Sequence, residues 1–491
     1  MTEPVSTQIQ RAGSLAGQGR LGDALAVLEG GLRQDPSQPE LLQMLAALAW
    51  QAGDRYRADD ALKALVAAQG GPAPQTDLMT AQVALDLREF ERARAAIDRL
   101  IAGGDRGALT VSTAVRLFTW QGEDAAAVML IEEALARAPD SPELLGLALA
   151  RRALSTPECL AAAERVSEAL PDGDPRKTPL IFARVKAYDR AGEVAEAWAL
   201  AKRANTLAAR RLGTAFSAEA CARFDAQLVT RGRASLELAG QLAPGRAHPG
   251  QGQIFLIGAP RTGGSLVQSI LSAGEGRQSS GERGALLPYL NGLADTPGAQ
   301  PPTDYLAQLQ AADLSGMARG GLTAPLIIDK TTHNFYVAPL IAAIHPGARF
   351  VNNRRRARDV ALSMYFLDFP PAFPEACDLG ALVAMLRARK RLAEIYADAG
   401  FDMLDLDFDD FAADPAVQGA QLARALGLEW TGAVLAPENR PTIVPTFSHD
   451  QVRQPIARDP GARWTPYLEY LPEEIAEALA ALDGKGDQPA S

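Results

Sequence analysis

Cysteine and histidine are nearly absent from this chain, at 3 and 4 of 491 residues. Cys159, Cys221 and Cys377 stand far apart, in neither the even number of a disulfide framework nor the paired spacing of a zinc site. That predicts free thiols in a reducing, cytoplasmic compartment and no bound metal. Long apolar runs are missing too: nothing approaches the roughly 18 uninterrupted apolar residues of a membrane span. The opening MTEPVSTQIQRAG lacks the basic-then-apolar order of a secretory leader. Positive charge is in deficit. The formal net charge of −10 disfavours nucleic acid as a partner, so any polyanion site must be local. What the chain has in quantity is apolar residues, 47% of the total, enough over this length for two or more cored domains.

The first 210 residues are alanine-rich and helical in period. Gly19, Gly53, Gly122 and Gly192 recur in similar settings (GQGRLGDAL, WQAGDRYRA, WQGEDAAA, DRAGEVAEAW), with steps of 34, 69 and 70 residues. Arg88 in DLREFERA fills the first long gap, and a degenerate unit near Ser155 fills the second. Pro36 and Pro139, three periods apart, end units. This period of about 34 residues, over about six units, resembles the tetratricopeptide repeat. The resemblance implies stacked helix pairs winding into an all-α superhelix with a concave groove. Such a groove serves equally as plain scaffold or as a dock for a peptide or protein. Nothing in the pattern sets an oligomeric state.

Residues 216–240 read as one connecting helix, and LAPGRAHPGQGQ, at about 241–252, breaks the pattern. Beyond it strands alternate with helices. Strands are expected at Gln253–Ile257, Leu326–Ile328, Arg349–Asn353 and Met403–Asp407, with helices near 264–273, 335–344, 357–366 and 415–426. That grammar predicts a doubly wound α/β domain with a parallel sheet, whose ligands sit outside the carboxyl ends of the strands. The expected division is therefore 1–212 helical repeats, 213–252 connecting helix and linker, 253–484 α/β domain, and 485–491 disordered tail.

The most informative segment is QIFLIGAPRTGGSLVQSIL, 253–271. Its turn, Gly258 to Ser265, has the spacing of the phosphate-binding loop G-x-x-x-x-G-K-[ST], but Gly264 stands where the lysine belongs. The loop can still aim backbone N–H groups and a helix N-terminus at an anion. Ser265 can donate a hydroxyl, and Arg261 supplies a cation of different geometry. The missing lysine argues against a nucleoside triphosphatase, and the fitting ligand is a phosphate ester.

Three more segments carry charge at expected strand ends. IIDKTTHNF, 327–335, closes a strand with Lys330, placed to neutralise a leaving phosphate or a bridging oxygen. His333 follows, either as a general acid or base or as a helix-start histidine with structural bonds. RFVNNRRRARDVALSMYF, 349–366, runs a strand into four arginines, whose forks match phosphate oxygens. Ser363 lies two helical turns beyond Arg355. SSGERGALLPYL, 279–290, places Glu282 in a loop after the first helix, where it can act as a base or merely favour a helix start.

In this order, the four segments resemble the 3′-phosphoadenylyl-sulfate-dependent sulfotransferases, over about 250–475. With the repeats before them they resemble the bacterial tetratricopeptide-repeat sulfotransferases, related to the protein-tyrosine sulfotransferases. The fold implied is an all-α tetratricopeptide superhelix followed by an α/β P-loop-like sulfotransferase domain. In the family the loop commonly reads G-x-P-R-S-G-T-T-L, here GAPRTGGSL. The resemblance gives the cradling of the 5′-phosphosulfate to Pro260, Arg261, Thr262, Gly263, Gly264 and Ser265. D-K-M-P-x-N-F becomes DKTTHNF, and R-R-D-P-R-D-x-A-L-S-x-Y-F becomes RRRARDVALSMYF. The 3′-phosphate contacts then fall on Arg355 and Ser363. SHDQVRQPIARDPGARW matches a C-terminal motif and makes Ser448 and Arg463 further nucleotide contacts. Glu282 matches the base of the protein-tyrosine branch, with His333 the other candidate. Gly264 departs from a threonine, Arg356 and Ala357 from Asp-Pro, and Thr332 from a proline. The activity implied is metal-free transfer of a sulfuryl group from 3′-phosphoadenylyl sulfate to an acceptor hydroxyl on protein tyrosine, a saccharide or a small molecule. Adenosine 3′,5′-bisphosphate is the product. The alternatives are a repeat scaffold with a degenerate sulfotransferase domain, and a P-loop kinase, which the missing lysine disfavours.

Overall fold

A computed structural model describes residues 3–214, 216–245, 252–296, 298–436, 453–459 and 461–483. Ser448, the linker residues 246–251 and the tail 485–491 lie outside the described residues. By its contacts the chain divides into two compact units, 1–148 and 149–491.

Up to Gln241 the described residues form 13 helices and no strand. Ten run in pairs: α1 (Val5–Gly17) with α2 (Leu21–Leu32), α3 (Pro39–Gln51) with α4 (Arg55–Ala68), α5 (Pro74–Asp86) with α6 (Phe90–Ala102), α7 (Ala108–Gln121) with α8 (Asp124–Arg137), and α11 (Lys177–Ala191) with α12 (Val194–Leu212), with α9 (Pro142–Leu149) and α10 (Pro157–Ala169) between the last two pairs in sequence. The turn inside each pair needs one left-handed residue. Gly19, Gly53, Gly122 and Gly192 supply it at φ between 77° and 83°. Arg88 holds the same place in the third pair at φ 63°, a conformation that strains a residue with a Cβ. The alanine bias has a packing cause. Ala12, Ala24, Ala46, Ala49 and Ala58 are fully buried in the first unit's core, where small side chains let helices approach closely.

In the second unit, α13 (Ala218–Gln241), capped by the Ser217 hydroxyl, leads to a five-stranded parallel sheet. Its strands are β1 (Gly252–Leu256), β2 (Arg277–Gly281), β3 (Leu326–Asp329), β4 (Arg349–Arg354) and β5 (Leu404–Asp407), in the order β2-β3-β1-β4-β5. Alternate residues of β1 face opposite cores. Ile254 and Leu256 pack with Ile328, Val351 and Leu406 under α14 (Gly264–Ser272). Phe255 and Phe350 join the other core, which also takes Val185, Ala197 and Leu228 from α11–α13 and Leu392 from α19 (Leu379–Asp398). The carboxyl end of β1 has β3 on one side and β4 on the other, so the connections leaving it diverge there. Such a switch point opens a crevice for ligands.

β2 is an addition to the strands expected from sequence. RQSSG has no apolar alternation, because it is an edge strand paired on one side with β3. No helix of the described residues is long and apolar enough to cross a membrane. Among those residues no group of three or more His, Cys, Asp or Glu could hold a metal ion.

Candidate active site

A cavity of about 460 Å³ lies at the carboxyl ends of β1, β3 and β4. It is lined by the whole turn from Gly258 to Ser265, including Pro260, Thr262 and Gly264, and by Glu282, Lys330, Arg355, Ser363 and Arg463. These come from five separate stretches of sequence. His333 is not among the lining residues, although its neighbour Thr332 is.

The turn is held in a strained shape. Arg261 has φ 69° and Gly263 φ 81°, and α14 begins directly after. A Cβ on Gly258 would overlap the Asn353 carbonyl, and one on Gly263 would overlap the Phe408 ring, so both positions need glycine for space. Thr262 points its hydroxyl back to the Ala259 carbonyl at 2.7 Å and fixes the turn from inside. The Cγ and Cδ atoms of Lys330 stand 3.3 Å from where a Cβ on Gly264 would be. The lysine stem thus crosses the position where other phosphate loops carry their own lysine. Its Nζ donates to Ser265 Oγ at 3.2 Å and pairs with the Glu282 carboxylate. A cation therefore reaches the helix N-terminus from β3 rather than from the loop.

The neighbour of Lys330 has a structural job. The Asp329 carboxylate accepts from the Thr331 N–H (2.9 Å), the Asn334 amide (3.1 Å) and the Ser280 hydroxyl (2.9 Å). That clasps the ends of β2 and β3 and sets Glu282 opposite Lys330.

Of the four arginines at 354–358, only Arg355 lines the cavity. Arg354 pairs at 3.6 Å with Asp405, and Arg356 bridges Asp359, Asp409 and Asp459. Arg355 donates to the Arg261 carbonyl at 3.2 Å and lies over the Phe408 ring. Arg261 Nε donates to Ser363 Oγ at 2.9 Å, so Ser363 meets Arg261 and not Arg355 directly. Arg463 stacks on Trp464 and pairs with Asp189 of α11 at 2.7 Å. Burial, then repulsion from Arg463 and Arg355, holds the Arg261 guanidinium down to about 10. Repulsion among neighbouring guanidinium groups is relieved by an anion between them. Asn353, 2% exposed, also lines the cavity, and among the described residues neither of its amide atoms has a hydrogen-bond partner.

Arg389 of α19 gave no signal in the sequence, where it reads as one basic residue on a charged helix. Its guanidinium lies 4.0 Å from the Phe335 ring centroid and reaches the carbonyls of Ile257 and Thr332. It therefore ties the approach to the turn to the segment that follows Lys330. Nearby, His333 stacks on Phe373 with ring centroids 4.3 Å apart. Burial, with Arg389 and Arg231, pushes the His333 pKa to about 4, leaving a neutral ring at pH 7.

Glu375 is buried in the same region, and burial raises its carboxyl from 4.5 to about 7, partly offset by Arg389. A raised acid stabilises the fold below the unfolded value and loses that contribution as pH climbs through the folded one. Wild-type stability should therefore decline as pH rises from about 4.5 to about 7, by on the order of 3 kcal/mol from this group. Glu375→Gln should flatten the decline, seen as a melting temperature that gains on wild type as pH rises. Parallel pH profiles would contradict this assignment.

Residues 253–432 match the sulfotransferase family model, and residues 5–48 match a tetratricopeptide-repeat model. A protein of Aquifex aeolicus (strain VF5), described as uncharacterized, is 27% identical over 248 residues, or 46% of this chain. This chain covers 32% of that relative's length. The sulfotransferase domain of the Synechococcus PCC 7002 olefin synthase aligns over 50% of this chain and 99% of its own, with 17% identity and a TM-score of 0.34. Sulfotransferase STF1 of Mycobacterium tuberculosis H37Rv aligns over 61% of this chain and 97% of its own, with 15% identity and a TM-score of 0.26. Residues 253–432 are thus similar to the sulfotransferase family, and residues 5–48 to the tetratricopeptide repeat.

Proposed function

We propose that the second unit transfers a sulfuryl group from 3′-phosphoadenylyl sulfate to an acceptor hydroxyl. One observation carries the reading: three arginines, a helix N-terminus and the Lys330–Glu282 pair share a single cavity. That set fits a ligand with two separated phosphates. The 5′ end would rest on the N–H groups of the turn and on Ser265, and the 3′-phosphate on Arg355 and Ser363. The donor supplies the sulfuryl group. Glu282 takes the proton of the attacking hydroxyl. Lys330 neutralises the bridging oxygen as its bond to sulfur breaks, and Arg261 the sulfuryl oxygens. The repeats would present a peptide or protein partner.

Calorimetric titration tests this without knowledge of the acceptor. Adenosine 3′,5′-bisphosphate should bind well and ATP much less well. Arg355→Ala should remove the preference for the bisphosphate over adenosine 5′-monophosphate, at a loss of about 1.5–3 kcal/mol for a charged hydrogen-bond set. Equal affinity of the unmutated protein for bisphosphate and ATP would overturn the reading.

A further inference from the structure

One cation of the cavity is held from outside the sheet and its loops. Arg463 lines the cavity with Arg261 and Arg355, its guanidinium 4.2 Å from the ring centroid of Trp464. Its Nη2 donates at 2.7 Å to Asp189, in the last turn of α11. The same carboxylate accepts the Tyr467 hydroxyl at 2.8 Å. One acid thus fixes two residues of the 3-10 helix Ala462–Tyr470. The partner helix α12 grips another wall of the cavity. Asn205, 2% exposed, donates at 2.7 Å to the Tyr365 carbonyl, at the end of α18 (Ala357–Tyr365), which carries Ser363. The Trp198 ring lies 5.8 Å from that of Tyr365 and 5.9 Å from that of Tyr470. The last helical pair therefore packs on both segments that bring Ser363 and Arg463 to the cavity.

Resting on the sulfuryl-transfer reading, we infer that Asp189 is a positioning residue for the nucleotide, so that the phosphate site is complete only with the last helical pair. The Arg463 side chain is 48% exposed and that of Asp189 14%, and an ion pair so open contributes little to stability. What it supplies is order. An arginine has many rotamers, and selecting one before the ligand arrives removes that entropic cost from binding. Trp464 holds the guanidinium by its face and Asp189 holds Nη2, and a guanidinium has further N–H donors for a phosphate. Charge alone acts in the opposite sense. A carboxylate near an anion site repels the anion, but water and salt screen that repulsion around a half-exposed pair. The sign of the change on removing the Asp189 charge therefore decides between positioning and repulsion.

The test is calorimetric titration of the full chain with adenosine 3′,5′-bisphosphate. Asp189→Asn removes the charge and keeps an oxygen for the Tyr467 hydroxyl. It should weaken binding about threefold to tenfold, while the melting temperature without nucleotide stays near that of the unmutated protein. Asp189→Glu restores a carboxylate and should recover part of the affinity. Arg463→Gln should weaken binding at least as much as Asp189→Asn, and adding Asp189→Asn to it should cost nothing further. Unchanged or tighter binding by Asp189→Asn would overturn the inference, since the acid would then only compete with the ligand for Arg463. An equal loss in the Arg463→Gln background would also overturn it, by making Asp189 a structural residue. Arg463→Gln alone keeps the question open to disproof should Asp189→Asn fold poorly: if it binds the bisphosphate as the unmutated protein does, there is no contact for Asp189 to position. Failure of the unmutated protein to bind the bisphosphate would instead bring down the sulfuryl-transfer reading, and this inference with it.

Discussion

Lys330→Ala should cut sulfuryl-transfer turnover about 100- to 1,000-fold while adenosine 3′,5′-bisphosphate binds almost as before. The lysine reaches the start of α14 and stands against Ser265 and Glu282. Charge on the bridging oxygen grows as the bond to sulfur breaks, so the ammonium acts mainly in the transition state. The fold should survive, because Glu282 is 47% exposed and water can take over its carboxylate. Glu282→Gln keeps the shape and removes the proton acceptor, and a loss of about 100-fold or more is expected. Single-turnover transfer from labelled donor, read beside bisphosphate affinity, separates the two roles. Full activity of Glu282→Gln would show that it is not the base. Loss of binding and turnover in equal measure in Lys330→Ala would make that lysine a ground-state contact.

Much of this architecture is written in local rules. A left-handed turn needs glycine, so the repeat period shows through Gly19, Gly53, Gly122 and Gly192. Arg88 was found only by counting, since no local rule places an arginine at positive φ. The turn at Gly258–Ser265 and the charged strand ends were readable because buried apolar runs stop there. What escaped the sequence depends on long-range packing. β2 is an edge strand without an alternating face, and Arg389 is buried by rings far away in the chain. The run at 354–358 looks uniformly basic, yet carboxylates at 359, 405, 409 and 459 pair along it, Arg355 included at 3.8 Å from both Asp359 and Asp409, and of the four arginines only Arg355 lines the cavity. In the sequence Glu282 is the first candidate for the base and His333 the second. The structure puts His333 against Phe373 and Glu282 against Lys330. α11 and α12 read as further repeat helices and α13 as a connecting helix, but Val185, Ala197 and Leu228 share a core with Phe255 of the sheet.

Gly263→Ala should damage nucleotide binding more than its single methyl group suggests. Gly263 sits at φ 81°, where an L residue costs about 1–2 kcal/mol. Its Cβ would also overlap the ring of Phe408. That ring is 6% exposed in the core below the turn and cannot swing into solvent without opening a cavity. Overpacking of this kind costs about 1–3 kcal/mol, so the variant should lose about 2–5 kcal/mol of stability in all. Phe408 also carries Arg355, whose guanidinium lies 5.7 Å from the ring centroid. The displaced ring should shift that arginine as well as the turn, so bisphosphate affinity should fall at least as far as in Arg355→Ala. Gly400→Ala provides the control. Gly400 has φ 73° and open space around its missing Cβ, so it carries the backbone strain without the clash. It should lower the melting temperature slightly and leave nucleotide affinity alone. If Gly263→Ala binds the bisphosphate as wild type does, the turn is not the nucleotide cradle. If both variants lose only the same small stability, the ring of Phe408 yields freely, and its coupling to Arg355 carries no weight.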